Sequence, residues 1–325
     1  MKLVQRRHFL LGSSALLASP LTSFAQQPRE KVSKVGFLIS ETASDSSVRI
    51  EAMRSGLRDH GYVEGKNLVL ETRTADGNYA RLPELAATLV QMKVDVLVAF
   101  GTKAVLAARR ATSIIPIVDP VMGDPVASGL VSSLARPGGN ITGLTGFDVD
   151  LPAKRVELLK EAVPTIARLG IIVNPLNPSG ADARAAATRL GIDFKSFDVP
   201  EARDFEKVFA AMLKVRVDSI LVSTDTLFQS RANEVASLAM RNRLPSVGST
   251  QYAEAGGLIG YSANDAELFR REAYFVHKIL MGSKPGDLPI ERPTRFEMVV
   301  NAKTAKGLGI AIPKSILIRT DREIQ

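Results

Sequence analysis

The sequence predicts an α/β protein of two doubly wound lobes with parallel sheets, on three observations. From residue 34 onward, short apolar runs alternate with amphipathic stretches, the pattern of parallel strands covered by helices on both faces. The same order of elements then occurs twice, with matching landmarks: Gly36 and Gly170, Val94-Asp95 and Val217-Asp218, Pro116 and Pro245. Elements near the C-terminus exceed what a second lobe requires, so the chain is expected to cross between lobes more than once.

Residues 1–25 read as an export signal. Lys2, Arg6 and Arg7 precede an uncharged run from Phe9 to Phe24, broken by Gly12, Ser13, Ser14 and Pro20. A spanning helix needs about 20 mainly apolar residues, and this run is shorter. Arg6-Arg7-His8-Phe9-Leu10 resembles a twin-arginine signal, with an ordinary secretory signal as the alternative. Ser23-Phe24-Ala25 places cleavage after Ala25, and no Cys follows to carry a lipid.

The first lobe is expected as strand 34–40 (KVGFLIS), helix 48–60 closed by Gly61, strand 67–74, helix 79–92, strand 94–100, helix 102–112 and strand 114–118. A turn-rich break at 135–140 leads into apolar 141–147, and helix 151–163 stops because Pro164 disfavours helical geometry in its predecessor. The second lobe repeats the order: strand 169–173, helix 179–190, strand 194–199, helix 204–215, strand 219–223, helix 227–243 and strand 245–248. Strand 258–261, helix 265–281, a Pro-rich loop, strand 297–300 and a helix capped by Asn301 follow.

Composition narrows the chemistry. Hydrophobic residues at 45% and charged residues at 23% describe a globular chain. Three of the 42 basic residues and none of the 34 acidic ones lie in residues 1–25, leaving +5 of the +8 formal charge. No basic cluster with interleaved aromatics marks a nucleic-acid footprint. Zero cysteines exclude disulfides, and His8, His60 and His277 are too scattered for a zinc site. Gly138 to Thr145 (GGNITGLT) has P-loop glycine spacing, but Leu144 stands where the lysine belongs. G-x-G-x-x-G after the first strand, HExxH and G-x-S-x-G are all absent. Neither an enzyme nor a bound metal or cofactor is expected.

Polar loops at the C-terminal ends of the strands are the candidate site, because open α/β sheets bind ligands there. They are 40–47, Gly101-Thr102, Asp119-Pro120, Asn174, Thr224-Asp225-Thr226 and Ser249-Thr250. Hydroxyls and free N–H groups at helix starts suit a carboxylate, and Asp119 or Asp225 suits an ammonium. Helix capping is an equal reading of each residue taken singly.

GYVEGKN (61–67), RLPELA (81–86), KVDVLV (93–98), Gly123-Asp124-Pro125-Val126 with Gly129-Leu130-Val131, and LARPGGNITG (134–143) resemble the ABC-importer substrate-binding family that includes tryptophan and tyrosine binders. The resemblance implies the type I periplasmic binding fold: two Rossmann-like lobes joined by a three-stranded hinge and closing on a ligand. Lobes of 32–143 plus 262–291 and of 144–261 plus 292–325 follow, with hinge residues Thr142, Phe147, Tyr261, Ser262 and Arg292. It places Ser46, Thr102, Asp119, Asn174, Asp225 and Tyr252 at the ligand. The chain has no Trp, so an aromatic wall would come from Phe100, Phe228 or Tyr252. The implied protein is a periplasmic monomer that captures an amino acid or a similar small solute for an ABC permease and its ATPase. The alternative is a ligand-sensing subunit for a membrane receptor.

Overall fold

The structure, a computed structural model, describes residues 32–44, 46–145, 150–175 and 181–325. The leader read at 1–25 and the hinge residue Phe147 lie outside the described residues. The first sheet comprises β1 (Ser33–Ile39), β2 (Leu68–Thr74), β3 (Val96–Phe100), β4 (Ile117–Met122) and β5 (Ile141–Thr145). All are parallel, in the order β2-β1-β3-β4-β5. α1 (Ser47–Asp59), α2 (Leu82–Gln91) and α3 (Thr102–Ala111) alternate with them.

The second lobe opens with α4 (Leu151–Ala162), then β6 (Arg168–Val173), α5 (Ala181–Arg189), β7 (Asp193–Asp198), α6 (Phe205–Lys214) and β8 (Ser219–Val222). α7 (Thr226–Ser230), α8 (Ala232–Arg241), β9 (Ser246–Gly248), α9 (Thr250–Glu254) and β10 (Ile259–Ala263) follow. Last come α10 (Asp265–Leu280), β11 (Phe296–Asn301), α11 (Ala302–Leu308), α12 (Lys314–Leu317) and β12 (Arg322–Ile324). The second sheet is ordered β12-β11-β10-β9-β8-β6-β7, so its β7-β6-β8-β9-β10 portion repeats the first sheet.

The repeat has a physical basis at each landmark. Side chains from the turn before the third strand sit over a glycine in the first. A Cβ on Gly36 would lie 3.2 Å from Val94, and one on Gly170 would lie 3.0 Å from Val217. The following aspartates hold the start of the neighbouring strand, Asp95 by accepting from the Lys34 amide at 2.8 Å and Asp218 from the Arg168 amide at 3.0 Å. The carbonyls of Pro116 and Pro245 each accept from the adjacent strand, at Leu97 and Ile220.

Strand periodicity divides each core in two. Phe37 and Val98 face one side of the first sheet, with Met53 and Phe269, while Leu38, Leu97 and Ala99 face the other, with Leu89 and Val105. The second sheet is likewise packed on both faces, by Leu159 and Ile171 on one and by Phe209 and Ile220 on the other. Among the described residues, no helix is long and apolar enough to cross a membrane.

The chain passes between the sheets three times. It leaves β5 after Thr145 for α4, and leaves β10 for α10, which packs on α1 so closely that a Cβ on Gly56 would come 2.4 Å from the Arg270 carbonyl. It returns through residues 292–295 to β11, just after Glu291 bridges Leu144. Arg292 lies in this third passage. The other expected joints fall inside strands. Thr142 belongs to β5, paired with Val118, and its hydroxyl donates to the Leu288 carbonyl at 2.8 Å. Tyr261 and Ser262 belong to β10, paired with Met298 and Glu297.

Several expectations change for local reasons. The second sheet is not wholly parallel, because β11 runs antiparallel to β10. The strand expected at 114–118 begins at Ile117, since the amides of Ile114 and Ile115 turn back to the Thr112 hydroxyl. The Asn140 side-chain amide clamps that turn by donating to the carbonyls of Thr112 and Ile115. The helix expected at 227–243 is broken at Arg231, where the Ser230 hydroxyl donates to the Leu227 carbonyl. GGNITGLT is not a phosphate loop, because its last five residues are β5 itself.

Tyr252 is a core residue and not a cleft residue. Only 1% of it is exposed, and it belongs to the apolar cluster with Phe228 and Val235. Gly248 and Gly257 make room for its ring, and a Cβ on Gly257 would approach that ring at 2.2 Å. Gly257→Ala is therefore expected to destabilise the protein by about 1–3 kcal/mol through overpacking, read as a lowered urea midpoint. An unchanged midpoint would mean that the ring moves aside without cost.

Candidate functional site

The equivalent turns of the two lobes face each other. In the first lobe β3 ends at Phe100, Gly101 takes φ +87°, and Thr102 starts α3. In the second, β8 runs through Ser223 and Thr224 to Asp225, the N-cap of α7. They nearly touch: a Cβ on Gly101 would lie 2.5 Å from the Thr226 methyl, so glycine is required both for its backbone and for the approach. Between these turns lies a cavity with about 800 Å³ of atom-free space, its mouth included. Thr102, Asp225, Thr226, Gln229 and Asp265 give it a polar wall, and Val121, Met122, Leu151, Pro152, Leu221 and Leu268 an apolar one.

Two of the six expected ligand residues, Thr102 and Asp225, line this cavity. Asp225 also caps α7, accepting from the Leu227 amide at 2.9 Å and from the Asn174 side chain at 3.0 Å. Asn174 thus stands behind Asp225 and orients it. Ser46 lies outside the cavity lining, with its hydroxyl donating to Glu41 at 3.1 Å. Asp119 is fully buried beneath the Gly101 turn, where Oδ1 accepts from the Val121 amide at 2.9 Å. Phe100, Phe228 and Tyr252 are all core residues, so among the described residues the apolar wall of the cavity carries no aromatic ring.

Sequence reasoning missed two arginines. Arg155, on α4, lines the cavity although only 1% of it is exposed. Its Nε donates to the Tyr261 carbonyl at 2.7 Å and its Nη1 to the Thr224 hydroxyl at 2.8 Å. Burial pushes its pKa down to about 9. The available signal was its place on an apolar helix face, with Leu151 four residues before and Leu158 and Leu159 three and four after.

Arg49, on α1, stands beside the cavity in a buried ionic cluster. Its Nη1 meets Glu41 at 2.6 Å and its Nε meets Asp265 at 3.4 Å. Burial opposes its charge, but the two carboxylates outweigh that and raise its pKa. Arg49 also reaches the other lobe, with Nη2 donating to Gln251 at 2.9 Å, while Gln251 donates back to Asp265 at 3.0 Å. The cluster ties the lobes together at one end of the cleft.

Residues 34–324 match the ABC transporter substrate binding protein family. The chain belongs to that family. This substrate-binding protein is 26% identical to a tyrosine-binding protein of Clostridioides difficile (strain R20291) over 258 residues, 78% of this chain and 74% of the relative. It also resembles the ABC domain from Streptococcus pneumonia solved in complex with L-Trp, at 25% identity and a TM-score of 0.84, covering 90% of this chain and 99% of that one. A leucine-binding protein from Thermotoga maritima, 14% identical, shares the fold alone, at a TM-score of 0.55 over 78% of this chain and 77% of that one. The substrate-binding protein accordingly has the type I periplasmic binding fold.

Proposed function

We propose that this protein is exported, loses residues 1–25, and captures an amino acid in the periplasm as a monomer. The closed lobes then present it to the permease of an ABC importer driven by its ATPase. No bond is made or broken: the cleft binds, and closure makes contacts that only the closed form has. The observation that carries this reading is the juxtaposition of Thr102 and Asp225 across one cavity, an α-helix start opposite a carboxylate. The start of α3 offers unsatisfied N–H donors to a carboxylate, and Asp225 offers an acceptor to an ammonium. The ligands of the tyrosine-binding relative and of the L-Trp complex point to the same class.

The test is a thermal-shift screen of the purified protein, unfolded and refolded to strip carried ligand, against the amino acids. A ligand at 100 times its dissociation constant is expected to add about 2.7 kcal/mol of stability, seen as a raised melting temperature. A flat response to every amino acid discards that ligand class.

A further inference from the structure

Two buried arginines border the cleft, and they differ in one respect. Arg49 has Glu41 at 2.6 Å and Asp265 at 3.4 Å. Arg155, as deeply buried, has no carboxylate within ion-pair distance among the described residues. Its partners are a carbonyl and a hydroxyl, both neutral, and among the described residues its Nη2 has none. Burial of a charge with no counter-charge is strongly unfavourable, so such a group is expected to meet one that arrives from outside. A second donor is orphaned at the same place. The Ser223 hydroxyl is buried without a partner and lines the same cavity, one residue before the Thr224 that holds Arg155.

We infer that Arg155 and the Ser223 hydroxyl complete, with the start of α3, the receptor for the carboxylate of the bound solute. This deepens the proposed capture function and rests on it: the ligand must be an organic anion or a zwitterion, because its negative charge completes the cleft. The two neutral bonds at Nε and Nη1 fix the guanidinium plane and leave Nη2 as its unpaired donor. Fixing the plane in this way favours arginine, since a lysine ammonium is a point charge with no fork. Burial already pushes Arg155 down to about 9, and an incoming carboxylate opposes that shift.

The experiment is calorimetric titration of refolded, ligand-free protein with L-tryptophan, L-tyrosine and L-leucine, with their decarboxylated amines, and with neutral sugars. Wild type, Arg155→Gln, Arg155→Lys and Ser223→Ala are compared. The expected result is that acids bind and amines do not. Arg155→Gln weakens the acid about 100-fold, with Arg155→Lys recovering part of the loss and Ser223→Ala costing about tenfold. Melting temperature without ligand separates a structural role: Arg155→Gln is expected to match or exceed wild type, because an uncompensated cation has gone. Equal binding of acid and amine, an undiminished affinity in Arg155→Gln, or a large fall in its ligand-free melting temperature would overturn the inference. Binding of a neutral sugar alone would also overturn it while leaving solute capture intact. Binding of nothing in the panel would overturn the amino-acid reading and this inference together.

Discussion

Arg49→Met is expected to leave the lobes unable to hold their closed arrangement, and so to weaken solute binding by more than any other substitution outside the cleft lining. The side chain joins Glu41 and Asp265 to Gln251, residues that lie far apart in sequence and on both sides of the cleft. Removing one partner of a buried ion pair costs about 3–5 kcal/mol, because the other charge stays buried and unmatched. Here that charge is Glu41, which is 4% exposed and also accepts from Ser46. Part of the loss therefore falls on the first lobe alone and part on closure. Gln251→Ala separates them: it removes the Gln251 bonds to Arg49 and Asp265, about 1.5–3 kcal/mol for a bond to a charged group, and leaves Glu41 paired and the longer Arg49–Gln229 bond in place. Small-angle scattering with saturating solute is expected to show wild type compact and Arg49→Met expanded. Urea unfolding should be lowered strongly in Arg49→Met and little in Gln251→Ala. Closure free energy lost in this way appears as lost affinity, since the solute must then supply it. An Arg49→Met protein that closes and binds like wild type would show that the cluster is ornamental to closure.

Much of the fold was legible because it is local. Alternation marked the strands of both lobes, and Asn301 announced α11 by capping it through the Thr304 amide. The Gly36–Val94 and Gly170–Val217 contacts explain why landmark residues recur at matching places. Short elements without periodicity were not legible: α9 has five residues, α12 four and β12 three. The site was legible only in outline. Polar residues at strand ends pointed to Thr102 and Asp225, but the same rule selected Asn174 and Ser46, which hold other side chains in place. Arg155 escaped because an arginine in a helix ordinarily reads as surface, and only its apolar neighbours at i−4, i+3 and i+4 say otherwise. Tyr252 was misplaced for the opposite reason. A tyrosine after a strand suits a cleft, and the signal for the core was the pair of glycines, Gly248 and Gly257, that make room for its ring. The Arg49–Gln251 bond spans 202 residues, and no local pattern encodes it.

Stability is expected to fall as pH rises from about 5 to 8, and Glu272→Gln should remove much of that fall. Glu272 on α10 and Asp119 on β4 are both fully buried in the first lobe. Among the described residues, neither Glu272 oxygen nor Asp119 Oδ2 has a partner, and no cation contributes to either group. Burial raises Asp119 to about 7, against the pull of the Val121 and Gly101 amides. Burial first, and the Asp119 charge second, raise Glu272 well above the ordinary carboxylate range. A carboxylate whose folded pKa lies above its unfolded value binds more protons in the native state between the two. Stability is then complete below the unfolded value, near 4, and is lost as pH climbs through the folded one. Glu272→Gln keeps the shape, discards the charge that must be buried at high pH, and relieves Asp119 of its neighbour. At pH 8 the variant should therefore be more stable than wild type, seen as a higher urea midpoint. At pH 5 the two should nearly coincide. Urea midpoints at pH 5, 6.5 and 8 decide the matter, and a variant that keeps the wild-type slope would show that the pair is not the titrating element. The effect reaches the cleft through one bond: the Gly101 amide faces Asp119, so ionisation of this pair acts directly under the turn that carries Thr102.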